Sequence, residues 1–362
     1  MKWAARIGVF SGIALYVHVT FILLVVWVGY AHWQAEQSVW AVAAGIFFIL
    51  ALFTCVVLHE FGHALTARRF GIGTRDIILL PIGGVARLER MPEDPRQELL
   101  VALAGPAVNA VIALVLYVGL RAVGGMSPIG ELTLTGGSFL ERMMVINVVL
   151  ATFNLLPAFP MDGGRVVRAL LAMRMNYARA TRLAARLGQA VALVFGILGF
   201  FGSPFLVLIA VFVWIGAAQE SAATQMKFAL GHTTAESVMV SRFRTLAPDD
   251  TLDRAVELLL SDSQQDFPVV EGTAVVGVLT RAALLAALAS DGKSSRIDSV
   301  MQRDFRVADV EDYMENVLEQ LQGCSCRTVP VLRSGMLVGL VTMENVGEFL
   351  SVQAALHKTV RT

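Results

Sequence analysis

The first two-thirds of the chain alternates long uncharged apolar runs with short segments that are polar or rich in arginine. An α-helix needs about 20 apolar residues to cross the hydrocarbon core of a bilayer. Runs near or above that length cover 7–31, 39–58, 99–120, 143–161 and 187–218. Gly202-Ser203-Pro204 is a turn signal inside the last run, so we predict two helices there and about six spans in all. One long tilted helix is the alternative, and it would move the C-terminus to the other side.

Positive charge between the runs predicts their orientation. Segments 64–98 and 163–186 each carry six arginines, whereas segments 32–38 and 122–141 contain no Lys or Arg. Cytoplasmic loops are enriched in Lys and Arg. We therefore predict a multi-pass protein of the cell membrane, with the N-terminus, both arginine-rich segments and the C-terminal part in the cytoplasm.

The amino-acid composition is typical of a protein that is embedded in a lipid bilayer. The chain is 56% hydrophobic and 16% charged, and its formal net charge is zero. A neutral chain lacks the basic excess that binds phosphate backbones, so we expect no nucleic-acid partner. Its three cysteines give no disulfide framework, and we expect Cys324 and Cys326 to be free thiols.

After about residue 225 the apolar runs shorten to strand length and an internal repeat appears with an offset of 62 residues. The repeated blocks are S-V-M at 237 and 299, P-V at 268 and 330, and V-G-x-x-T at 276 and 338. Each copy is typical of strand, helix, strand, strand, helix. Since a solenoid needs three or more repeats, two copies indicate a packed pair. We predict an α-helical polytopic membrane domain followed by an α/β tandem pair.

The second apolar run ends directly in His59-Glu60-Phe61-Gly62-His63. On a helix, histidines at i and i+4 share one face and can bind one zinc ion, with the glutamate as general base. Catalytic zinc takes three protein ligands and keeps one open position. Asp162, an isolated acid at the end of the fourth run, supplies the third ligand. A structural zinc site closed by Cys55 is the alternative.

The segment 77–86 follows the zinc motif and is apolar, β-prone and flanked by arginines. We predict a short β-hairpin that dips into the membrane, where non-helical backbone must be covered by protein or line a wet cavity. Its open edge would pair with an unwound substrate by strand addition. An amphipathic loop at the interface is the alternative.

Two motifs together resemble the site-2 protease family of intramembrane zinc metalloproteases, in the subgroup with a C-terminal CBS pair. They are 59–63 and the N-x-x-P-x-x-P-x-D-G-G segment 154–164, and the likeness covers about 1–222. It implies that one Zn²⁺ is bound by His59, His63 and Asp162, that Glu60 activates water, and that Asn154 helps to hold the substrate or the developing oxyanion. The implied substrate is a membrane-anchored protein, such as an anti-sigma factor or a membrane-tethered regulator.

The repeat resembles a tandem pair of CBS domains, which commonly bind adenine nucleotides between the copies. The ribose-binding acid, three residues after the Thr of each copy, is replaced by Ala283 and Asn345. A structural role, or formation of a homodimer, is the alternative to nucleotide binding. The predicted segments are a protease domain over 1–222, a linker over 223–233, a first repeat over 234–290, and a second repeat with its tail over 291–362.

Two other classes of protein share the arrangement of spans followed by a CBS pair. A CBS-regulated transporter or channel would have no need for Glu60 between two histidines at helical spacing. A scaffold that binds membrane proteins without cutting them would not need the four intact residues of the site. Asn109 and Asn147, inside the third and fourth runs, are predicted to form hydrogen bonds between helices, with a role in substrate binding as the alternative.

Overall fold

The computed structural model describes residues 4–81, 83–90, 92, 94–128, 133, 136–231, 233–261, 264–290, 292–323 and 326–359. The chain divides into two compact units, Met1–Ala222 and Ala223–Thr362. The first unit is mainly helical and the second is α/β, as the sequence predicts for the membrane domain and the CBS pair.

The N-terminal segment begins with a β-hairpin rather than with a membrane span. Strands β1 (Ala4–Phe10) and β2 (Ile13–His18) are antiparallel, and helix α1 (Val19–Glu36) starts only after them. Ser11 and Gly12 both have positive φ, 51° and 80°, which is the conformation of a two-residue type I′ turn. The predicted span is therefore wrong for residues 7–18, because these apolar residues pair as strands.

Helix α2 (Val39–Arg69) is followed by strands β3 (Thr74–Leu80) and β4 (Gly83–Leu88). The sheet order is β1-β2-β3-β4, with β2 parallel to β3 and β4 on an edge. The predicted hairpin over 77–86 is thus present, and its depth in a membrane stays a prediction. Its buried side chains pack with the N-terminal hairpin and α2, in a cluster that includes Ile13, Leu15, Phe53, Ile77 and Leu79.

The remaining helices of the first unit are α3 (Pro95–Ala122), α4 (Phe139–Asn154), α5 (Asp162–Ala172), α6 (Tyr177–Phe201) and α7 (Pro204–Leu230). Their starts follow the sequence: Asp94 caps α3 ahead of Pro95, and Ser138 with Glu141 forms a capping box on α4. The predicted break at Gly202-Ser203-Pro204 is confirmed, so the alternative of one long helix is excluded.

Within the described residues, four helices are long and apolar enough to cross a membrane: α2, α3, α6 and α7. Helices α1 and α4 have 18 and 16 residues, so the count of six spans stays a prediction. The fourth predicted run ends early. Helix α4 stops at Asn154, because Pro157 and Pro160 cannot continue it, and Asp162 then begins α5.

The second unit contains two similar halves. The first has α8 (Ala235–Val238), α9 (Leu252–Ser261), β5 (Phe267–Glu271), β6 (Ala274–Leu279) and α10 (Arg281–Ser290). The second has a 3₁₀ turn (Ile297–Ser299), β7 (Ala308–Asp309), α11 (Met314–Gly323), β8 (Thr328–Arg333), β9 (Met336–Thr342) and α12 (Met343–Thr359). Most of the segment assigned to a linker is helical, since α7 continues to Leu230, whose side chain is buried in the core of the second half.

The sequence repeat is visible as reciprocal packing between the two halves. Residue pairs Val240–Leu340 and Val278–Gln302 form isolated bridges that are related by the offset of 62 residues. A β-carbon at Gly339 would lie 2.8 Å from Met239 Cγ, and one at Gly277 would lie 2.6 Å from Met301 Sδ. The S-V-M methionine of each copy therefore fills the space above the V-G glycine of the other.

One cysteine expectation is wrong. Cys326 is disulfide-bonded rather than a free thiol, while Cys324 lies outside the described residues. Cys55 is free and buried.

Candidate metal centre

Helix α2 carries the zinc motif at the end of its apolar run without a break. His59 and His63 are one helical turn apart, and both are buried, with 6% and 5% of their surface exposed. This face of α2 packs closely on α3. A β-carbon at Gly62 would lie 2.7 Å from the carbonyl oxygen of Ala104 on α3.

Both imidazoles are oriented by acceptors on α3. His59 Nδ1–H donates to Asn109 Oδ1 at 2.6 Å, and His63 Nδ1–H donates to the carbonyl oxygen of Val101 at 2.7 Å. A carbonyl oxygen can only accept, so the proton is placed on Nδ1 by the hydrogen-bond network. The Nε2 lone pair of each ring is therefore free to bind a metal ion.

Asp162, the first residue of α5, brings the third ligand from another part of the chain. Its Oδ2 atom lies 3.2 Å from His59 Nε2 and 3.1 Å from His63 Nε2, and the two nitrogens are 3.1 Å apart. Tetrahedral zinc with ligands at 2.0–2.1 Å holds neighbouring ligand atoms about 3.3 Å apart. The three side chains thus fit one zinc ion. Among the described residues, they form the one buried group with this geometry.

A glycine on α3 faces both metal-binding rings. A β-carbon at Gly105 would lie 2.6 Å from His59 Nε2 and closer still to His63 Nε2. Glycine inside a helix costs about 1 kcal/mol relative to alanine and so calls for a packing reason. The two Nε2 atoms are that packing reason. The signal in the sequence is a glycine in the middle of an apolar helix.

Glu60 contacts the edge strand of the sheet. Its Oε2 atom accepts a hydrogen bond from the backbone N–H of Ala86 at 2.9 Å. A β-carbon at Gly84 would lie 2.7 Å from Glu60 Cγ. Ala86 is paired with Ile77 of β3, but its N–H points to Glu60 and hence to the open side of β4. The proposed base and the free edge of the sheet are therefore adjacent.

Asn109 and Asn147 continue the network away from His59. Asn109 Nδ2 donates to Asn147 Oδ1 at 2.8 Å, which joins α3 to α4 and confirms the predicted hydrogen bond between helices. Asn147 Nδ2 in turn lies 3.4 Å from Cys55 Sγ. Cys55 thus contacts Asn147 and is not a member of the metal-binding group in the part of the chain that the structure describes.

Asn154 is placed differently from the other predicted site residues. It is the last residue of α4, and its Nδ2 atom donates to the carbonyl oxygen of Leu150 in its own helix at 3.0 Å. Among the described residues, no hydrogen bond connects it to the His–His–Asp cluster. Its role in holding substrate or an oxyanion stays a prediction.

Comparisons with known proteins identify the family of each part of the chain. The model of peptidase family M50 matches residues 47–137 and 126–195, and the CBS domain model matches 235–290 and 297–351. The zinc metalloprotease MJ0392 of Methanocaldococcus jannaschii is 30% identical over 355 residues, which cover 97% of each chain.

Two solved structures are also similar. The site-2 protease from Methanocaldococcus jannaschii is 35% identical with a TM-score of 0.44, over 60% of this chain and 95% of that one. The CBS domains of a transcriptional regulator from Streptococcus pneumoniae are 27% identical with a TM-score of 0.29, over 32% of this chain and 98% of that one.

Apolar helices of membrane-spanning length, a buried His–His–Asp group and an adjacent glutamate define a membrane metalloprotease. The chain belongs to peptidase family M50, the site-2 proteases, and carries a C-terminal pair of CBS domains.

Proposed function

We propose that this metalloprotease cleaves a membrane-anchored protein within or beside its transmembrane segment, in regulated intramembrane proteolysis. The observation that carries the proposal is the buried group of His59 and His63, inside the long apolar helix α2, with Asp162 at the start of α5. Ionisable side chains in such surroundings are costly and usually mark function. The proposed substrates are anti-sigma factors or other membrane-tethered regulators, which would be released into the cytoplasm.

The residues of the site have separate tasks in peptide hydrolysis. His59, His63 and Asp162 would hold Zn²⁺, which when bound acidifies water and polarises a carbonyl group. Asn109 and the Val101 carbonyl keep both imidazoles in the orientation that leaves Nε2 free. The Glu60 carboxylate takes a proton from the attacking water and delivers it to the nitrogen of the leaving amine. Asn154 would support the substrate or the developing oxyanion.

Access to the scissile bond requires an unwound substrate, because a helix uses its own amide groups in internal hydrogen bonds. Strand β4 lies on the edge of the sheet and borders Glu60 through Ala86 and Gly84. We propose that a substrate segment adds to this edge as a further strand, which presents its backbone to the metal centre. The hairpin would then lie at membrane depth, covered by α2 and the N-terminal hairpin.

The proposed topology has six spans, formed by α1, α2, α3, α4, α6 and α7. The arginine-rich segments would lie in the cytoplasm together with the N-terminus and the CBS pair. The site would open to the cytoplasmic side, since His59 lies towards the arginine-rich end of α2.

The CBS pair is proposed to regulate the protease or to form a homodimer. A cavity of about 1020 Å³ lies between the two halves, which is large enough for a nucleotide. In the lining of the cavity, Asp266 Oδ2 of the first half accepts from Thr328 Oγ1 of the second at 2.8 Å, and Asn345 is hydrogen-bonded to Thr342. An adenine nucleotide would have to bind here without the ribose-binding acid. Calorimetric titration of the full-length protein with ATP, ADP and AMP tests this.

Co-expression with candidate single-span proteins tests the protease proposal. The wild-type chain should release a fragment cut inside or next to the span, whereas Glu60→Gln should bind zinc and release none. His59→Ala should lose both zinc and cleavage. Equal cleavage by wild type and Glu60→Gln would contradict the assignment of Glu60 as the general base. Transport of a solute without any cleavage would favour the alternative of a CBS-regulated transporter, and stable binding of the partner without cleavage would favour a scaffold.

A further inference from the structure

A buried arginine outside the metal cluster connects the helices that build it. Arg168 of α5 is 1% exposed, and its Nε–H donates to Oε1 of Glu98 on α3 at 2.7 Å. Glu98 is also 1% exposed, and it accepts a second hydrogen bond from Tyr177 Oη at 3.4 Å. The same guanidinium is paired with Glu220 on α7. Four helices therefore meet at one side chain.

Arg168 also contacts the loop that leads into its own helix. Its guanidinium carbon lies 5.1 Å from the ring centroid of Phe159 and 5.1 Å from that of Tyr177. Phe159 is 1% exposed and stands three residues before Asp162. The arginine thus connects α5 to the loop that precedes it.

The contacts of Arg168 connect the two halves of the metal centre. Helix α3 orients both histidines through Val101 and Asn109, and Glu98 lies one turn before Val101. Helix α5 carries the third ligand. A metal site needs its ligands within about 0.5 Å of the working geometry, so the position of α5 against α3 decides whether Asp162 reaches the two Nε2 atoms.

Stability alone does not explain a buried ion pair. Desolvating two charges costs several kcal/mol, and well-packed apolar residues of similar size often stabilise a fold as well or better. Apolar residues at these positions would not form a directional contact that fixes one helix against another.

We propose that Arg168 is a positioning residue for the metal centre, which fixes α5 against α3 through Glu98 and thereby places Asp162 beside His59 and His63. The proposal rests on the proposed zinc site.

The test measures two quantities separately on full-length protein in detergent: zinc affinity by competition with a chelator, and the midpoint of thermal unfolding. The variants are Arg168→Met, Glu98→Gln and the double variant Glu98→Gln/Arg168→Met. Loss of a supporting contact typically weakens metal binding about 10- to 100-fold, and we expect that loss in all three. Arg168→Met leaves the buried Glu98 carboxylate without its charged partner and should also unfold at lower temperature, whereas the double variant removes that carboxylate and should recover much of its midpoint. Glu98→Gln keeps Arg168 paired with Glu220 and should unfold at a temperature closer to that of the wild type.

Glu141→Gln is the matched control. Glu141 is another buried carboxylate, at 2% exposed, and it accepts from the N–H groups of Ser127 and Ser138 at 2.7 Å, away from the metal centre. This variant should lower the unfolding midpoint and leave zinc affinity unchanged. Wild-type zinc affinity in the double variant would overturn the proposal, because Arg168 would then act on stability only. A wild-type chain that binds no zinc would overturn the metal site itself, and this proposal with it.

Discussion

The residue that faces both metal-binding imidazoles from α3 is Gly105, where even one methyl group would meet the Nε2 atoms. Gly105→Ala should therefore displace the histidines and weaken zinc binding by at least about tenfold, as other losses of ligand support do. Zinc content after dialysis against a chelator, measured by atomic absorption, gives the result.

Gly119→Ala is the control for Gly105→Ala. It makes the same substitution in the same helix, at an exposed position where an added β-carbon has no neighbour within 4 Å. It should retain zinc as the wild type does. Equal zinc retention by both variants would show that α3 is not as close to the imidazoles as the structure has it.

For single residues, the sequence predicts the features that depend on local spacing and does not predict those that depend on packing. His59 and His63 are recognisable because their spacing places them on one helix face, Glu60 because it stands between them, and Asp162 because an acid is costly in an apolar run. The residues that orient the candidate metal ligands cannot be predicted in the same way. Arg168 is one of six arginines in its segment, and only the contact between α3 and α5 distinguishes it from the others.

Among the elements, strand β4 has the most direct contact with the proposed base. A β-carbon at Gly84 would press on Glu60 Cγ without reaching the metal ligands. The added methyl group would displace the Glu60 side chain, and a misplacement of about 1 Å can cost a catalytic group about 100-fold in rate. Gly84→Ala should therefore lower turnover about tenfold or more while zinc stoichiometry stays at the wild-type value. Cleavage assays alongside metal analysis separate the two effects.

The neighbouring Val85 offers a control for Gly84→Ala. Its side chain is 46% exposed, and strand alternation places it on the other face from Gly84. Val85→Ala should keep activity close to wild type. Loss of activity in both variants would mean that the hairpin is sensitive throughout, rather than at the contact with Glu60.

The two halves of the CBS pair depend on each other through two glycines. Gly339→Ala and Gly277→Ala should each destabilise the fold by about 1–3 kcal/mol, because the new methyl group overlaps the methionine of the other half. Gly347→Ala, on an exposed face of α12 with free space around it, should be neutral or stabilising. Thermal unfolding of the three variants checks this, and equal midpoints would contradict the reciprocal packing.

The N-terminal hairpin shows why elements are harder to predict than motifs. An apolar strand and an apolar membrane helix have the same composition. Composition therefore assigns residues 7–18 to the same predicted span as the apolar residues that follow them. The signal for the hairpin was Ser11-Gly12, a short turn inside that run. Besides β1, strand β2 pairs with β3, some 60 residues further along the chain, and such long-range pairing leaves no local trace.

For the whole molecule, the division into a helical unit and an α/β pair follows from a change in composition and a repeat, both of which the sequence displays. Buried residues recur at the same offset of 62: Leu252, Phe267 and Leu279 correspond to Met314, Val329 and Val341, and all six are fully buried. The repeat is predictable because each half needs the same core. The number of spans is harder to predict, because it depends on α1 and α4, whose lengths are close to the minimum for crossing a membrane.

Topology is the property of the whole chain that the proposed function most needs. Thr133 and Arg174 are both exposed, on opposite sides of the membrane in the six-span arrangement. In intact cells, a membrane-impermeant thiol reagent should label Thr133→Cys, and it should label Arg174→Cys only after permeabilisation, with the wild-type chain as the baseline. Positive charge favours this orientation because arginine-rich loops stay in the cytoplasm. Labelling of both cysteines from the same side would remove α4 from the membrane, and the reverse pattern would place the arginine-rich segments, the metal centre's opening and the released products outside the cell.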